Sequence, residues 1–436
     1  MLIKLMKRML LPLLALLLIL SAVGCGPKEA PVIETAPGEK SGEIVIWAWS
    51  ESEINGLAEK FNEVYPNIKI KFVAVESDLY LSKLQSALVT GGELPDVTLQ
   101  EIGERGAMYA LDIWEDLEAA PYNLDRNIFF PQILPTMLNA DGKIVGIERE
   151  LNPSGICYKR DLALEFFGTE DPDELGAMIS DWDQLIAEGK RIAEESGGKV
   201  KLFAGLRDVE SILYSQYADT VFEENLAHIT EYYEYNMDIM LRMYEGGMVG
   251  KLQMWTPAWN SSYIDPENYI LYPCAPWSPV WVVKANDPDG TGRWGVTTAP
   301  LRGYSYGGTA YGILKDAKNK DLAWTFIEWA TTTDHGTEAC QEVVGAIVSR
   351  QANYANGYPA SPDEYFAGQS TNQYLMENAL SGMLIRELSQ FDVVLRDVAS
   401  FVMEDIYNKP GITLAELVEA ARVEMKNKLP DDMTIE

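Results

Sequence analysis

The stretch "EIVIWAWSESEINGLAE", Glu43 to Glu59, decides the fold. Ile44, Val45, Ile46, Trp47 and Ala48 form an apolar run without polar alternation, the pattern of a parallel strand covered on both faces. The run stops on Trp49. Ser50 then suits the cap of a helix whose first turn carries Glu51 and Glu53, acids that favour the positive end of the helix dipole. Trp47, one full pleat inside the run, belongs to the core, whereas Trp49 stands at the exposed tip, where it can serve as a platform for a ligand with Glu51 as an acceptor beside it. Without a ligand, the same two residues would be packing and a helix start.

Working outward, "NIKIKFVAV" reads as a second strand. Asp78 to Thr90 follows as a helix, with Leu79, Leu81, Leu84 and Leu88 at helical spacing and Gly91-Gly92 as its stop. "LPDVTLQ" is a third, short strand entered through Pro95. Strands alternating with helices specify an α/β architecture with parallel sheets and right-handed crossovers. The strand ends near Trp49, Ala74 to Ser77 and Gln100-Glu101 therefore share one edge, the edge at which open α/β sheets bind ligands.

Upstream, Lys4, Lys7 and Arg8 precede an apolar run from Met9 to Leu20, and small residues lead to Cys25. That order is a secretory leader, too short in its apolar part for a spanning helix. "AVGC" resembles the lipobox of bacterial lipoproteins, which implies cleavage after Gly24 and lipidation of Cys25. Residues 25–40, rich in Pro, Glu and Ala, read as a flexible spacer. The remainder is long enough for two domains.

The chain carries 35 basic and 66 acidic side chains, a net charge of −31, which repels nucleic acid and anionic lipid. Beyond Cys25 there are three cysteines, Cys157, Cys274 and Cys340; apolar neighbours favour three buried thiols, and a Cys157–Cys274 bridge stays open. The two histidines, His228 and His335, lie far apart without ligand spacing, and no G-x-S-x-G, H-E-x-x-H or phosphate-binding loop occurs. Neither a cofactor nor a metal ion is expected.

"IVIWAWSESEINGLAEKFNEVYPNIKIKFV" followed by "LQSALVTGGELPDV" resembles the amino-terminal signature of family 1 extracellular solute-binding proteins, the maltose-binding-protein group of ABC importers. "DGKIVGI" with "CYKRDL", "DWDQLIAEGKRI", "YPCAPWSPVW" and "YGGTAYGILKDAKNKDLAWTFIEWATT" resemble further family segments in the family's order. The resemblance implies two α/β lobes joined by crossing segments, with the ligand in the cleft between them. It places residues 41–148 and 292–349 in lobe 1, and 149–291 and 350–436 in lobe 2. The crossings then fall near Gly146 to Arg149, Gly292 to Val296, and Ser349-Arg350. Helices Thr371 to Ser381, Ser389 to Tyr407 and Leu414 to Lys428, apolar at spacings of three and four, pack on lobe 2.

A sugar offers hydroxyls at its rim and apolar faces, which suit planar polar side chains and aromatic rings respectively. The resemblance nominates Trp277, in the turn like the family's G-P-W, as the ring that stacks on a sugar. It adds Trp49 and Glu51 after the first strand, Gln100 and Glu101 after the third, and Asn152 before Tyr158. Asp208 beside Arg207 comes from "AGLRDVESILYS"; Tyr306 before Gly307-Gly308, and Arg350 at the last crossing, complete the set. Trp281 lies four residues beyond Trp277, and Trp255 and Trp259 could extend the cleft for a longer ligand. The implied function is that of a monomeric, lipid-anchored extracytoplasmic protein that closes on a sugar or oligosaccharide and hands it to an ABC permease, without catalysis. The rivals are a glycoside hydrolase, for which Glu148 and Glu150 would be the carboxylates, and a sensor lipoprotein presenting ligand to a receptor.

Overall fold

The computed structural model describes residues 37–265 and 268–436. The leader, Cys25 and the spacer up to residue 36 lie outside the described residues.

The opening stretch folds as its pattern dictates. Strand β1, Gly42–Ala48, is buried from Ile44 onward. Helix α1, Glu51–Val64, begins where the Ser50 hydroxyl accepts the Glu53 amide at 3.3 Å, and it buries Ile54, Leu57 and Phe61 along one stripe. Strand β2, Ile68–Ala74, pairs in parallel with β1 along its whole length and forms the sheet edge. Its lysines, Lys69 and Lys71, suit that edge position. Helix α2, Tyr80–Thr90, stops at Gly91, which takes the left-handed conformation with φ 69°. Strand β3, Val97–Glu101, lies parallel to β1 on the other side. Helix α3, Ile102–Tyr109, follows it directly.

The chain then crosses. Strands β4 (Ile147–Glu148), β5 (Glu150–Leu151) and β6 (Pro153–Lys159) run almost without interruption from the first sheet into the second. β6 is the centre of the second sheet. Strands β7 (Leu271–Cys274), β8 (Trp294–Thr297) and β9 (Tyr304–Ser305) all pair with it antiparallel. The expected parallel arrangement therefore holds for β2-β1-β3 but not for these ladders. The reason is directional: β6 carries the chain away from the crossing, whereas β8 and β9 carry it back. Strand β10, Thr309–Gly312, re-enters the first sheet between β3 and β4, antiparallel to both. Strand β11, Ile347–Val348, pairs with β5 at the crossing itself.

The expected return near Gly292 to Val296 is corrected by these pairings. Trp294 and Val296 are fully buried in a core with Tyr263 and Tyr272, on the β6 side. The return falls at Tyr306–Gly308, between β9 and β10.

Each lobe has its own interior. The first gathers Trp47, Leu57 and Phe61 of β1 and α1 with Phe326 and Trp329 of helix α8 (Lys320–Thr332). The second gathers Ile156, Trp182 and Phe203 with residues of α11 (Asp392–Asn408) and α12 (Leu414–Lys428). In chain order the helices between α3 and α8 used below are α4 (Trp182–Glu195), α5 (Leu206–Gln216), α6 (Ile229–Glu245) and α7 (Pro257–Ser261). Helices α9 (Asp334–Val344) and α10 (Thr371–Asn378) precede α11. The end of α10 and the segment after it depart from expectation: Met376, Leu380, Met383 and Ile385 pack on the first core, although Leu375 and Ala379 pack on the second-lobe side.

Cys157 and Cys274, on the paired strands β6 and β7 with Cα atoms 5.3 Å apart, form a disulfide. Of the three cysteines expected as buried thiols only Cys340 is one, and burial pushes it up to about 12. Among the described residues no helix is long and apolar enough to cross a membrane, and no cluster of metal-ligating side chains occurs.

Candidate functional site

Two edges and one crossing build the site. On the first lobe, β1 and β3 diverge at their carboxyl ends, and the Tyr80 hydroxyl bridges them: it donates to the Trp47 carbonyl at 3.1 Å and accepts the Leu99 amide at 3.0 Å. Trp49 stands half-buried just beyond, edge-on to the Tyr80 ring at 6.2 Å. Glu51 is exposed in the first turn of α1. Glu101 closes β3 and caps α3, accepting the Gly103 amide at 2.7 Å.

The crossing at Gly307 and Gly308 lies against this edge. Both have positive φ, 74° and 142°, backbone that side chains rarely adopt. Both are also crowded: a Cβ on Gly307 would stand 3.2 Å from the Trp277 ring, and one on Gly308 would stand 3.0 Å from Glu148 Oε1. The Gly308 carbonyl accepts the Ile102 amide at 3.0 Å, and Asn152 Nδ2 donates to the Gly307 carbonyl at 3.4 Å. Thr309 sits opposite Glu101 in the β10–β3 ladder. Glu101, Asn152, Trp277 and Tyr306 are thus gathered around one turn of backbone.

Trp277 owes its position to the end of β7. After Cys274 the chain turns, with the Ser278 amide donating to the Ala275 carbonyl at 2.9 Å and the Ser278 hydroxyl accepting the Ala275 amide at 3.0 Å. The indole that emerges is half-buried and lies 5.5 Å from the Tyr306 ring at a 35° tilt. Trp281 leaves this turn, and its indole N–H donates to the Val344 carbonyl at 2.9 Å, tying the second lobe to the end of α9.

Arg396 is a residue that sequence reading missed. It projects from α11 toward α3, its Nη1 so close to Gly103 that a Cβ there would be 1.8 Å away. The Ser389 carbonyl makes the same close approach to Gly106, so glycines three apart on α3 admit the second lobe. No carboxylate of the described residues pairs with Arg396 within ion-pair distance. Burial lowers its pKa, but Glu101, the Tyr214 phenol, Glu210 and Glu104 outweigh that, and the net direction is upward. The guanidinium is therefore a charged, forked donor beside Glu101. The sequence signal was slight: an Arg-Asp pair inside the apolar run of a helix read as packing.

Three of the nominated residues lie elsewhere in function or position. Gln100 is fully buried; its Oε1 accepts from the Tyr109 hydroxyl at 3.1 Å, and its Nε2 faces Gly312 in the interior. Asp208 is also fully buried: it accepts the Gly205 amide at 2.8 Å, capping α5, and the Trp259 indole N–H at 2.9 Å. Arg350 is paired with Asp334 and donates to Asn353 at 3.4 Å. The correction for Asp208 is that its carboxylate holds Trp259 in place instead of facing the cleft.

Desolvation pushes the Asp208 carboxyl up to about 7, against the pull of the Gly205, Trp259 and Ala204 donors. A carboxyl raised on folding contributes stability below its unfolded value that is lost as pH rises through its folded value. Unfolding in urea should show the advantage of the wild type over Asp208→Asn shrinking between pH 4 and 8, by up to about 4 kcal/mol. A constant difference across that range would show that Asp208 is ionised throughout.

The hinge charges are all paired. Arg105, fully buried, bonds Glu148, which also accepts from the Thr136 hydroxyl at 2.9 Å. Arg149 is held between Glu53 and Glu150 and reaches the Tyr311 hydroxyl at 3.4 Å.

A two-lobed α/β body whose strand edges, aromatic turn and chain crossings meet at one place is the architecture of a solute-binding protein. Residues 47–336 match the profile of the bacterial extracellular solute-binding proteins, two thirds of the chain, and the chain belongs to that family. It is 23% identical over 379 residues to the arabinooligosaccharide-binding protein of Bacillus subtilis (strain 168), covering 78% of this chain and 80% of that protein. Among solved structures, a family 1 extracellular solute-binding protein superposes with a TM-score of 0.78 at 19% identity, covering 88% of this chain and 99% of the other. The galacto-N-biose/lacto-N-biose I-binding protein of the ABC transporter from Bifidobacterium longum, in complex with lacto-N-biose, gives 0.71 at 16% identity, covering 91% and 99%. These likenesses bear out the two-lobed α/β fold and the extracellular solute-binding role expected from the sequence.

Proposed function

We propose that the protein captures a sugar or oligosaccharide between its lobes and delivers it, unaltered and as a monomer, to an ABC permease, held at the membrane by lipidated Cys25. The observation that carries this reading is the half-exposed Trp277 ring laid against Gly307, at the point where the chain returns from the second lobe to the first. An indole face suits the C–H patch of a pyranose. Glu101 and Arg396, from opposite lobes, add an acceptor and a bidentate donor for hydroxyls. The named sugar-binding relatives support the same class of ligand.

Capture follows from differential contact. A solute touching Trp277 on one lobe and Glu101 or Trp49 on the other stabilises the closed form; one that reaches a single lobe shifts nothing. Glu148 and Glu150 support capture over hydrolysis, since each carboxylate is already committed to an arginine, Arg105 and Arg149 respectively. Burial raises the Glu150 carboxyl, Arg149 opposes it, and its 4% exposure leaves no room for a glycosidic oxygen.

A thermal-shift panel of mono- and oligosaccharides tests the proposal. We expect a stabilising shift with at least one sugar, recovered intact after prolonged incubation. Hydrolysed product, or no shift with any sugar, would end this reading. Labelling of the expressed chain with palmitate, abolished in Cys25→Ala, is the expected result for the anchor.

A further inference from the structure

Trp255 is 55% exposed, the most exposed tryptophan among the described residues, and its backbone is left-handed with φ 67°. The local chain shows why that conformation arises. The Thr256 amide donates to the Gln253 carbonyl at 3.2 Å, closing a turn with Trp255 at its third position, and Thr256 then caps α7. A turn with positive φ at the third position favours glycine or asparagine. A bulky residue there is strained, and such strain concentrates where function over-determines the backbone. Neither folding nor solubility selects a half-exposed indole at a glycine position.

What surrounds the ring points to its use. Beneath it lies Trp259, 2% exposed, with ring centroids 5.2 Å apart, and Trp259 is pinned by Asp208. Beside it lies Trp277 at 6.2 Å and a 31° tilt, and Trp277 in turn meets Tyr306 at 5.5 Å and 35°. Trp277 is therefore the ring in contact with both neighbours, and Trp255 stands next to it on the side away from Tyr306 in the series. Trp255, Trp277 and Tyr306 thus form a row of neighbouring rings, with Trp255 at its exposed end over the buried Trp259. Gln253, two residues before Trp255, lines a cavity of the second lobe together with Arg207 and exposed Phe401.

We propose that Trp255 is the platform for a further sugar unit outside the one held at Trp277, so that this chain selects oligosaccharides over monosaccharides. The proposal rests on the sugar-binding reading above and adds ligand length to it. In closure, the unit at Trp277 is the one shared between lobes, and the unit at Trp255 adds affinity from the second lobe alone.

Calorimetric titration with arabino-, malto- and galacto-oligosaccharide ladders, each of one to four units, tests it. In the ladder that binds, the wild type should gain about tenfold or more in affinity at one added unit. Trp255→Ala should erase that gain while the shortest binding member loses far less. Trp255→Gly should erase it equally, with a melting temperature no lower than that of the wild type, because glycine relieves the left-handed backbone. A lowered melting temperature with equal affinity loss at every length would make Trp255 a structural residue and overturn the proposal. Unchanged length dependence in both variants would overturn it as well. If no member of any ladder binds the wild type, the sugar-binding reading itself falls, and this proposal with it.

Discussion

Trp277→Ala is expected to weaken the binding of whichever sugar stabilises the wild type by about a hundredfold or more, close to 3 kcal/mol. The loss is large because the indole has no substitute at the crossing. Tyr306 lies 5.5 Å away, and the Gly307 carbonyl beside the ring is already bonded to Asn152. Truncation removes the apolar face and opens a water-filled gap over two glycines. The fold should survive, since the ring is half-buried and the turn is held by Ser278 and the Cys157–Cys274 bridge. Calorimetric titration beside a thermal melt measures both quantities; unchanged affinity would remove stacking from the account.

Arg105→Ala is expected to destabilise the protein by about 3–5 kcal/mol in urea unfolding. Arg105 has no exposure, and its donors reach Glu148, the Gln100 carbonyl at 2.8 Å and 3.1 Å, and the Thr136 carbonyl at 3.3 Å. Removing it leaves a buried carboxylate with one hydroxyl donor and two carbonyls short of a partner. Glu148 begins the first crossing, so the damage falls on the hinge as well as on the first core. Lysine would not rescue it, having one point charge where a planar fork is required. A double variant, Arg105→Met with Glu148→Leu, should recover much of the loss, because an apolar pair removes the uncompensated charge. A single-variant cost below 1 kcal/mol would mean the pair is not desolvated as described.

The legible parts of this molecule were those set by local pattern. The end of the apolar run separated Trp47, one pleat inside the strand and 3% exposed, from Trp49 just beyond it, and Ser50 with its acids announced α1. The family itself was visible as motifs in a known order. The illegible parts depend on which segments meet across long sequence distance. β8 carries the right pattern for a strand, but nothing in that pattern says that it pairs with β6 instead of entering the first sheet. Gln100 and Glu101 are neighbours on β3, and only the burial of the face toward Gly312 and Gly146 sends Gln100 inward. Asp208 looked like a ligand contact because its role as the third residue of a helix start at Gly205 needs the helix boundary to be known. Arg396 gains its meaning from Gly103, nearly three hundred residues earlier in the chain.

A crystal structure of the protein grown with the sugar selected by the thermal-shift panel tests the central claim most directly. The account predicts one sugar ring face-on to Trp277, hydroxyls within hydrogen-bond distance of Glu101 or Arg396, and further units extending over Trp255. A sugar bound to a single lobe away from Trp277, with neither Glu101 nor Arg396 in reach, would contradict it.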